Sequence, residues 1–257
     1  MIQSVNRVLD IMSVISDNQG IPMTISQIAK KTSLNQSTCC HIVETLAARG
    51  FLNQVSRSSG YVLGMYSYTL TRYKSFHSDL ILVATPIIKW LESKTGYTSL
   101  LANMVDGEKF VLAYAESPEN SLKYKGDLYK GTLYDSATGR AMLSTMRLSE
   151  LKTAVEKSGL PTEEEWKDTN TLEKLVMKLN KLSKEKVVKV FSQEKNIYYV
   201  KFAVAFTGPK SRRYAIGLDL RKKTEPTKEE IDYIDKLILA AAHEINRRMK
   251  FSEINKE

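Results

Sequence analysis

The sequence predicts an α+β protein with three parts. These are an N-terminal winged helix-turn-helix over residues 1–64, a linker helix over 65–78, and a C-terminal antiparallel sheet with flanking helices over 79–257. Two observations support this. Residues 24–64 combine two short amphipathic helices with a small hairpin. Strand-like runs then alternate with helical periodicity from residue 97 to the C-terminal end, a mixture typical of α+β domains.

The helix-turn-helix prediction depends on local capping signals. Thr24 is followed three residues later by Gln27, which together predict a capping box at the start of the first of the two helices. Asn35 can cap the second helix, of about 14 residues, and Gly50 suits the position after its end. A Ser-Arg-Ser-Ser-Gly turn between two short apolar runs, 51–55 and 61–63, then predicts the wing.

A further helix precedes this unit, and a tyrosine-rich one follows it. We expect Ser4 to cap the first helix, which should end near Gly20. Its inward stripe is predicted to consist of Val5, Val8, Leu9, Met12 and Ile15. Residues 65–77 lack Gly and Pro and predict the linker helix, which could space two heads in a dimer.

The C-terminal part is predicted to contain strands, with a possible third strand at 122–125, and capped helices. Ser136 and the Thr162–Glu165 and Thr227–Glu230 pairs are the expected capping signals. The main predicted strands are 98–105, 109–116, 187–191, 197–206 and 214–220.

Composition excludes several classes of protein. The formal net charge is +9, and residues 1–78 carry seven Lys/Arg against three Asp/Glu. A basic DNA-binding segment is expected to look like this, but so is a generally basic protein. The two cysteines, Cys39 and Cys40, are neighbours and predict a reduced, cytoplasmic protein. The sequence offers no metal-ligand spacing, cofactor motif, catalytic motif, signal peptide or membrane span, so we expect neither an enzyme nor a membrane protein.

Small polar residues at the start of the second helix are suited to reading DNA. Such a helix can enter the major groove and present hydroxyl and amide groups to base edges. The alternative interpretation is a helical protein-interaction domain of similar outline.

Several segments resemble the IclR family of bacterial and archaeal transcriptional regulators. They are Ser4–Arg7, Leu34–Thr38, Leu46–Leu52 and Gly60–Gly64, and their order and spacing match the family. The resemblance extends weakly to about residue 250. It implies a DNA-binding regulator that forms a dimer, or a dimer of dimers, with a C-terminal effector domain similar to GAF and PAS domains.

The candidate DNA-binding residues lie on the second helix, the wing and the first helix. We expect the second helix to present Gln36, Ser37, Thr38 and His41 to the groove. The wing tip offers Arg57, Ser58 and Ser59 to phosphate or the minor groove. Arg7 is either a phosphate contact or an ordinary surface charge.

The resemblance also implies an effector site at the helix that begins after Ser136. Backbone N–H groups of Ala137 and Thr138 would hold an anionic effector beside Leu133. The alternative is that Gly139 and Ala141 only permit close packing. The rest of the pocket is expected to be apolar, formed by Tyr114, Tyr198, Val200, Leu218 and Leu220. This predicts an aromatic or acyl acid as effector, unless the tyrosines fill the pocket or the domain is purely structural.

Overall fold

The fold is that of a computed structural model, which describes residues 2–71, 78–105, 107–117, 130–131, 133–208 and 212–254. The chain divides into two compact units, Met1–Ser78 and Asp79–Glu257.

The first unit is a winged helix-turn-helix, as predicted. Its core is formed by buried side chains from all three helices and the wing, among them Ile15, Ile28, Cys39, Val43 and Leu52. The elements are α1 (Gln3–Ser16), α2 (Ile25–Thr32), α3 (Gln36–Ala48), β1 (Leu52–Ser56), β2 (Gly60–Leu63) and α4 (Met65–Thr71). α4 occupies the first part of the predicted linker helix, and residues 72–77 lie outside the described residues.

Two predictions for α1 are wrong. The helix begins at Gln3, one residue before Ser4, and its N-cap Ile2 makes no side-chain bond. Val5 and Leu9 are 50% and 56% exposed, whereas Ile11 is fully buried. At 100° per residue, the side that carries Ile11 is well separated from the side that carries Val5 and Leu9. Both sides are apolar, so periodicity alone did not identify the one that faces the core.

The second unit contains a six-stranded antiparallel sheet, which confirms the predicted fold class. The strand order is β5-β4-β3-β8-β7-β6. The strands are β3 (Thr98–Val105), β4 (Glu108–Ala115), β5 (Lys130–Gly131), β6 (Val188–Glu194), β7 (Ile197–Thr207) and β8 (Arg213–Lys222). The helices are α5 (Ser78–Thr95), α6 (Ala137–Ser144), α7 (Leu148–Ser158), α8 (Leu172–Leu182) and α9 (Lys228–Ile254). The strand expected at 122–125 lies outside the described residues.

Helices cover both faces of this sheet. α5 and α9 pack on one face, where their apolar side chains join Leu101, Phe202 and Ile216. α6, α7 and α8 pack on the other, against Leu100, Ala102 and neighbouring residues. Because successive side chains of a strand point to opposite faces, each strand contributes alternate residues to the two cores.

Apart from that of Ser4, the predicted capping bonds form, but those between Thr162 and Glu165 do not start a helix. The Thr24–Gln27 capping box, the Asn35 cap and the Ser136 cap are present. Glu165 and Thr162 also exchange the expected bonds, at 2.9 and 3.2 Å. Turns follow them, and the next helix begins at Leu172, capped by Thr171.

Among the helices that the structure describes, none combines the length and apolar character needed to cross a membrane.

Candidate nucleic-acid interface and effector site

The start of α3 is fixed by its cap and by its buried side. Asn35 has an extended backbone, and its side chain accepts a hydrogen bond from the Thr38 N–H at 2.7 Å. Cys39 and Val43 are fully buried against the rest of the unit. The opposite side of α3 therefore faces solvent.

The four α3 residues predicted to contact DNA differ in their exposure. Ser37 and His41, one turn apart, are both exposed. Gln36 is also exposed, but its Nε2 donates to Ser26 Oγ at 3.1 Å, which ties the amide to α2 and leaves Oε1 as an acceptor. Thr38 is half-buried at the edge of this face. Ser37 and His41 therefore have the freest access to a groove.

Glu44 also lies on the exposed side of α3, one turn after His41, although no base contact was assigned to it from the sequence. Cys40 Sγ donates to Glu44 Oε1 at 3.3 Å, and His41 Nδ1 lies 3.9 Å from Oε2. The bond to Glu44 raises the pKa of the Cys40 thiol, so the thiol remains protonated and continues to donate. A carboxylate held in this way can accept a hydrogen bond from cytosine N4.

The wing tip is a turn organised by one serine. Ser56 Oγ lies 2.8 Å from Ser59 Oγ and 3.2 Å from Ser58 Oγ, and it accepts from the Ser59 N–H at 2.8 Å. The predicted contact residues Ser58 and Ser59 are thus partly committed to the turn itself. Arg57 is exposed, and no residue in the described ranges bonds its guanidinium. It is therefore the wing residue best suited to meet a phosphate.

The base of the wing is held against the start of α2. Met23 and Tyr61 exchange backbone hydrogen bonds of 2.9 and 2.8 Å. Gly60, with φ of +96°, sits so close that an added Cβ would lie 2.1 Å from the Met23 carbonyl oxygen. This contact sets the direction of the wing relative to the helix-turn-helix. Arg7, on α1, is half-buried.

The second candidate site is the N-terminus of α6. Ser136 Oγ accepts from the Gly139 N–H at 3.1 Å. The N–H groups of Ala137 and Thr138 have no acceptor among the described residues, as is usual in the first turn of a helix. Gly139 does permit close packing, because a Cβ there would lie 1.9 Å from the Leu133 carbonyl oxygen. The helix start therefore combines both features that the sequence offered as alternatives, which are close packing at Gly139 and two unbonded N–H groups that could hold an anion.

The predicted apolar wall of this site is wrong. Val200, Leu218 and Leu220 belong to the core beneath α5 and α9, on the face opposite α6. Tyr198, two residues before Val200 on β7, lies on this same face and lines a cleft of about 370 Å³ beside Ile231 of α9.

Charged residues lie where the apolar wall was expected. Next to Thr138 on the α6 face is Gly217, where a Cβ would lie 2.7 Å from Thr138 Cγ2. By strand alternation Asp219 follows Gly217 on this face, and Asp219 is paired in register with Lys201. Lys201 Nζ donates to the Asp135 carbonyl at 3.5 Å.

Two further β4 residues face the same way. Tyr114 pairs with Leu100 on this face and is 39% exposed, so it stays a candidate for lining the site. Lys109 is only 8% exposed. Its burial lowers the pKa of the ammonium, which the carboxylates of Asp135 and Asp219 partly oppose.

Arg140 fixes the loop that leads into α6. Its Nε donates to the Tyr134 carbonyl at 2.6 Å and its Nη2 to the Glu165 carbonyl at 2.8 Å. The guanidinium carbon lies 4.2 Å from the centroid of the Trp166 ring. Burial lowers the pKa of Arg140 to about 10, so the side chain is charged at neutral pH. Arg140 therefore positions the site without facing it.

The comparisons with known proteins agree with this architecture. Residues 4–56 match the sequence profile of the IclR helix-turn-helix domain. The chain is 27% identical over 151 residues to the HTH-type transcriptional regulator BhcR of Paracoccus denitrificans, and 26% over 159 residues to XynR of Escherichia coli. Residues 4–56 therefore form a helix-turn-helix domain of the IclR type. These matches cover 59% and 61% of this chain and only 53% and 62% of the two regulators.

Solved structures from the IclR family share the complete fold. An IclR homologue from Microbacterium hydrocarbonoxydans, crystallised with 4-hydroxybenzoate, superimposes with a TM-score of 0.77 at 17% identity, covering 96% of this chain and 99% of the homologue. The Thermotoga maritima IclR gives a TM-score of 0.67 at 21% identity, covering 96% and 98%. At these identities the likeness shows the fold.

Proposed function

We propose that this protein is a sequence-specific DNA-binding transcriptional regulator of the IclR family. The observation that carries the proposal is the exposed polar side of α3, with Ser37, His41 and Glu44 on successive turns and a wing fixed beside the helix-turn-helix. A helix of this kind can place its side chains against base edges in the major groove, where each good contact discriminates by about 1–3 kcal/mol. Arg57 would add a phosphate contact that is independent of sequence.

We also infer that the protein acts as a dimer, or as a dimer of dimers. A single winged helix-turn-helix unit contacts too few base pairs for useful specificity. Two such units bound to the two halves of a palindromic DNA site contact enough base pairs. The first unit offers an unusual apolar stripe in support. The N-cap residue Ile2 and the α1 residues Val5 and Leu9 follow one another at spacings of three and four residues, and they are 70%, 50% and 56% exposed. A second copy would cover such a stripe. Light scattering that shows a monomer at micromolar concentration, with and without DNA, would contradict this.

The C-terminal unit is proposed to bind a small acid as effector. Support comes from the unbonded N–H groups at the start of α6, which suit an anion, and from the 4-hydroxybenzoate bound by the homologue of the same fold. The charged residues on the sheet beneath α6 replace the apolar wall expected from the sequence. They favour a polar ligand over an aromatic or acyl one.

Gel-shift assays against genomic fragments test the DNA-binding proposal. Ser37→Asp places a negative charge on the groove-facing side of α3, while Ser149→Asp adds the same charge to an exposed position of α7 in the other unit. We expect specific, salt-sensitive binding by the wild type and by Ser149→Asp, and its loss in Ser37→Asp. Absence of wild-type binding at low salt would favour a protein-interaction module instead.

A further inference from the structure

Glu44 occupies the middle of the exposed side of α3. At 100° per residue it lies about 20° around the helix from Ser37 and about 140° from the fully buried Cys39. Side chains of a helix point towards its N-terminus, so the carboxylate extends back over the turn that carries Cys40. The seven residues from Ser37 to Glu44 rise by about 10 Å, which corresponds to about three base-pair steps of 3.4 Å. Glu44 therefore faces the same groove as Ser37, about three base pairs further along.

One oxygen of the Glu44 carboxylate is bonded within α3, and the other is not. Cys40 Sγ donates to Glu44 Oε1 at 3.3 Å, and this bond raises the pKa of the thiol, so the proton stays on the sulfur. His41 Nδ1 lies 3.9 Å from Oε2, which is beyond hydrogen-bond distance. No described residue donates to Oε2, and the Glu44 side chain is 61% exposed. The thiol therefore orients the carboxylate and leaves one oxygen for an external donor.

The major groove offers few groups that a carboxylate can meet favourably. An ionised carboxylate accepts hydrogen bonds and donates none. Guanine and thymine present acceptors there, and adenine presents its N6 donor beside the N7 acceptor. Cytosine presents its N4 donor with no acceptor on the same base. Of the four bases, cytosine therefore suits Glu44 best.

We propose that Glu44 reads the cytosine of a C·G base pair in the operator, and that Cys40 is the positioning residue for this contact. This inference rests on the proposed DNA-binding function. Oε2 accepts from cytosine N4, and His41, which carries an N–H in either tautomer, donates to O6 or N7 of the paired guanine. At guanine or thymine the carboxylate would meet acceptors and gain no bond, so Glu44 also disfavours incorrect sites. Its contribution is to specificity more than to affinity.

Selection from a randomised operator library with the full-length protein, followed by sequencing, tests both parts of the proposal. Glu44→Gln replaces the carboxylate by an amide, which suits N6 and N7 of adenine. Glu156→Gln, at an exposed position of α7 in the other unit, removes the same charge and is the matched control. Cys40→Ala removes the thiol donor, and Cys40→Ser supplies a hydroxyl donor in its place.

We expect the wild type and Glu156→Gln to select C·G at one position of each half-site, and Glu44→Gln to select A·T at that position. The preference for C·G should fall about three- to tenfold in Cys40→Ala, because one hydrogen bond that orients the carboxylate is lost. Cys40→Ser should recover the preference, which a purely structural role of the cysteine would not explain. Equal thermal unfolding temperatures would show that the variants are folded.

The outcomes separate this inference from the proposed function. The base assignment would be overturned if Glu44→Gln selected the wild-type site, or if the wild type selected a base other than cytosine at the position that Glu44→Gln alters. The positioning role would be overturned by wild-type preference in Cys40→Ala or by no recovery in Cys40→Ser. In each of these cases the protein still selects a defined operator, so the proposed function stands. A wild type that enriches no site would refute the proposed function, and this inference with it.

Discussion

Gly60 joins the wing to the segment before α2, and its replacement by alanine tests how the DNA-binding unit is held together. The residue has φ of +96°, and a Cβ would lie 2.1 Å from the Met23 carbonyl oxygen and 2.6 Å from the Thr24 nitrogen. These are backbone atoms, which cannot rotate away as a flexible side chain can. Gly60→Ala must therefore push the wing away from Met23 and break its two hydrogen bonds with Tyr61.

The expected loss of stability has two parts. A left-handed backbone conformation costs an L-residue about 1–2 kcal/mol. Each lost backbone hydrogen bond contributes about 0.5–1.5 kcal/mol, so the two together contribute about 1–3 kcal/mol. Gly20→Ala provides the matched control in the same unit. Gly20 has φ of +80° with nothing within 4 Å of the added Cβ, so only the first part applies.

Urea unfolding of both variants, followed by gel shift, measures the difference. We expect Gly60→Ala to lose about 1–3 kcal/mol more than Gly20→Ala from the free energy of unfolding of the first unit. We also expect it to bind DNA more weakly, because the wing is no longer held in place. Equal losses in the two variants would show that the close approach to Met23 does not hold the wing, and the reasoning would be refuted.

Four further predictions follow from the same contacts. Arg57→Ala should weaken binding to all DNA sequences alike and lower the slope of log affinity against log salt by about 1, so an unchanged affinity and slope would contradict a phosphate contact. His41→Ala and Glu44→Gln should each change base preference in a randomised operator library by about 1–3 kcal/mol, whereas wild-type preference in both would remove them from the interface. Arg140→Lys should destabilise the second unit by about 2–4 kcal/mol, because lysine cannot bond both carbonyl groups and also stack on Trp166. An unchanged thermal unfolding temperature would refute this. Burial lowers the pKa of Lys109, so near its ordinary value of 10.5 the unfolded chain binds more protons than the folded protein. The free energy of unfolding of the wild type should therefore rise relative to that of Lys109→Met as the pH increases towards 10.5. A difference that falls with pH would contradict the lowered pKa.

Local signals in the sequence predicted most of the first unit. The Thr24–Gln27 capping box and the Asn35 cap act within three residues, so the residues alone specify them. The positive φ of +74° at Gly50 likewise follows from its place after a helix. Such features do not depend on what the rest of the chain does. They gave the position of α3, and with it the exposed side that carries Ser37 and His41.

Features that depend on distant packing were predicted less well. Leu218, Asp219 and Leu220 alternate in polarity, but the sequence does not show which sheet face α6 covers. The pairing of β8 with β3 and β7 and the positions of α6 and α9 settle that choice. A shift of one residue in such an assignment moves every side chain to the other face. For this reason the prediction of an apolar wall at the effector site was wrong, and the buried Lys109 was not identified from the sequence.

The central claim is that α3 reads DNA sequence, and a genome-wide DNA pull-down tests it most directly. Wild-type protein, Ser37→Asp and Ser149→Asp should be compared at two salt concentrations. The account predicts a small set of enriched sites with two-fold symmetry for the wild type and Ser149→Asp, and loss of those sites for Ser37→Asp. The claim would be contradicted if all three proteins recovered the same DNA without enrichment of particular sites. It would also be contradicted if the wild type recovered no DNA at low salt.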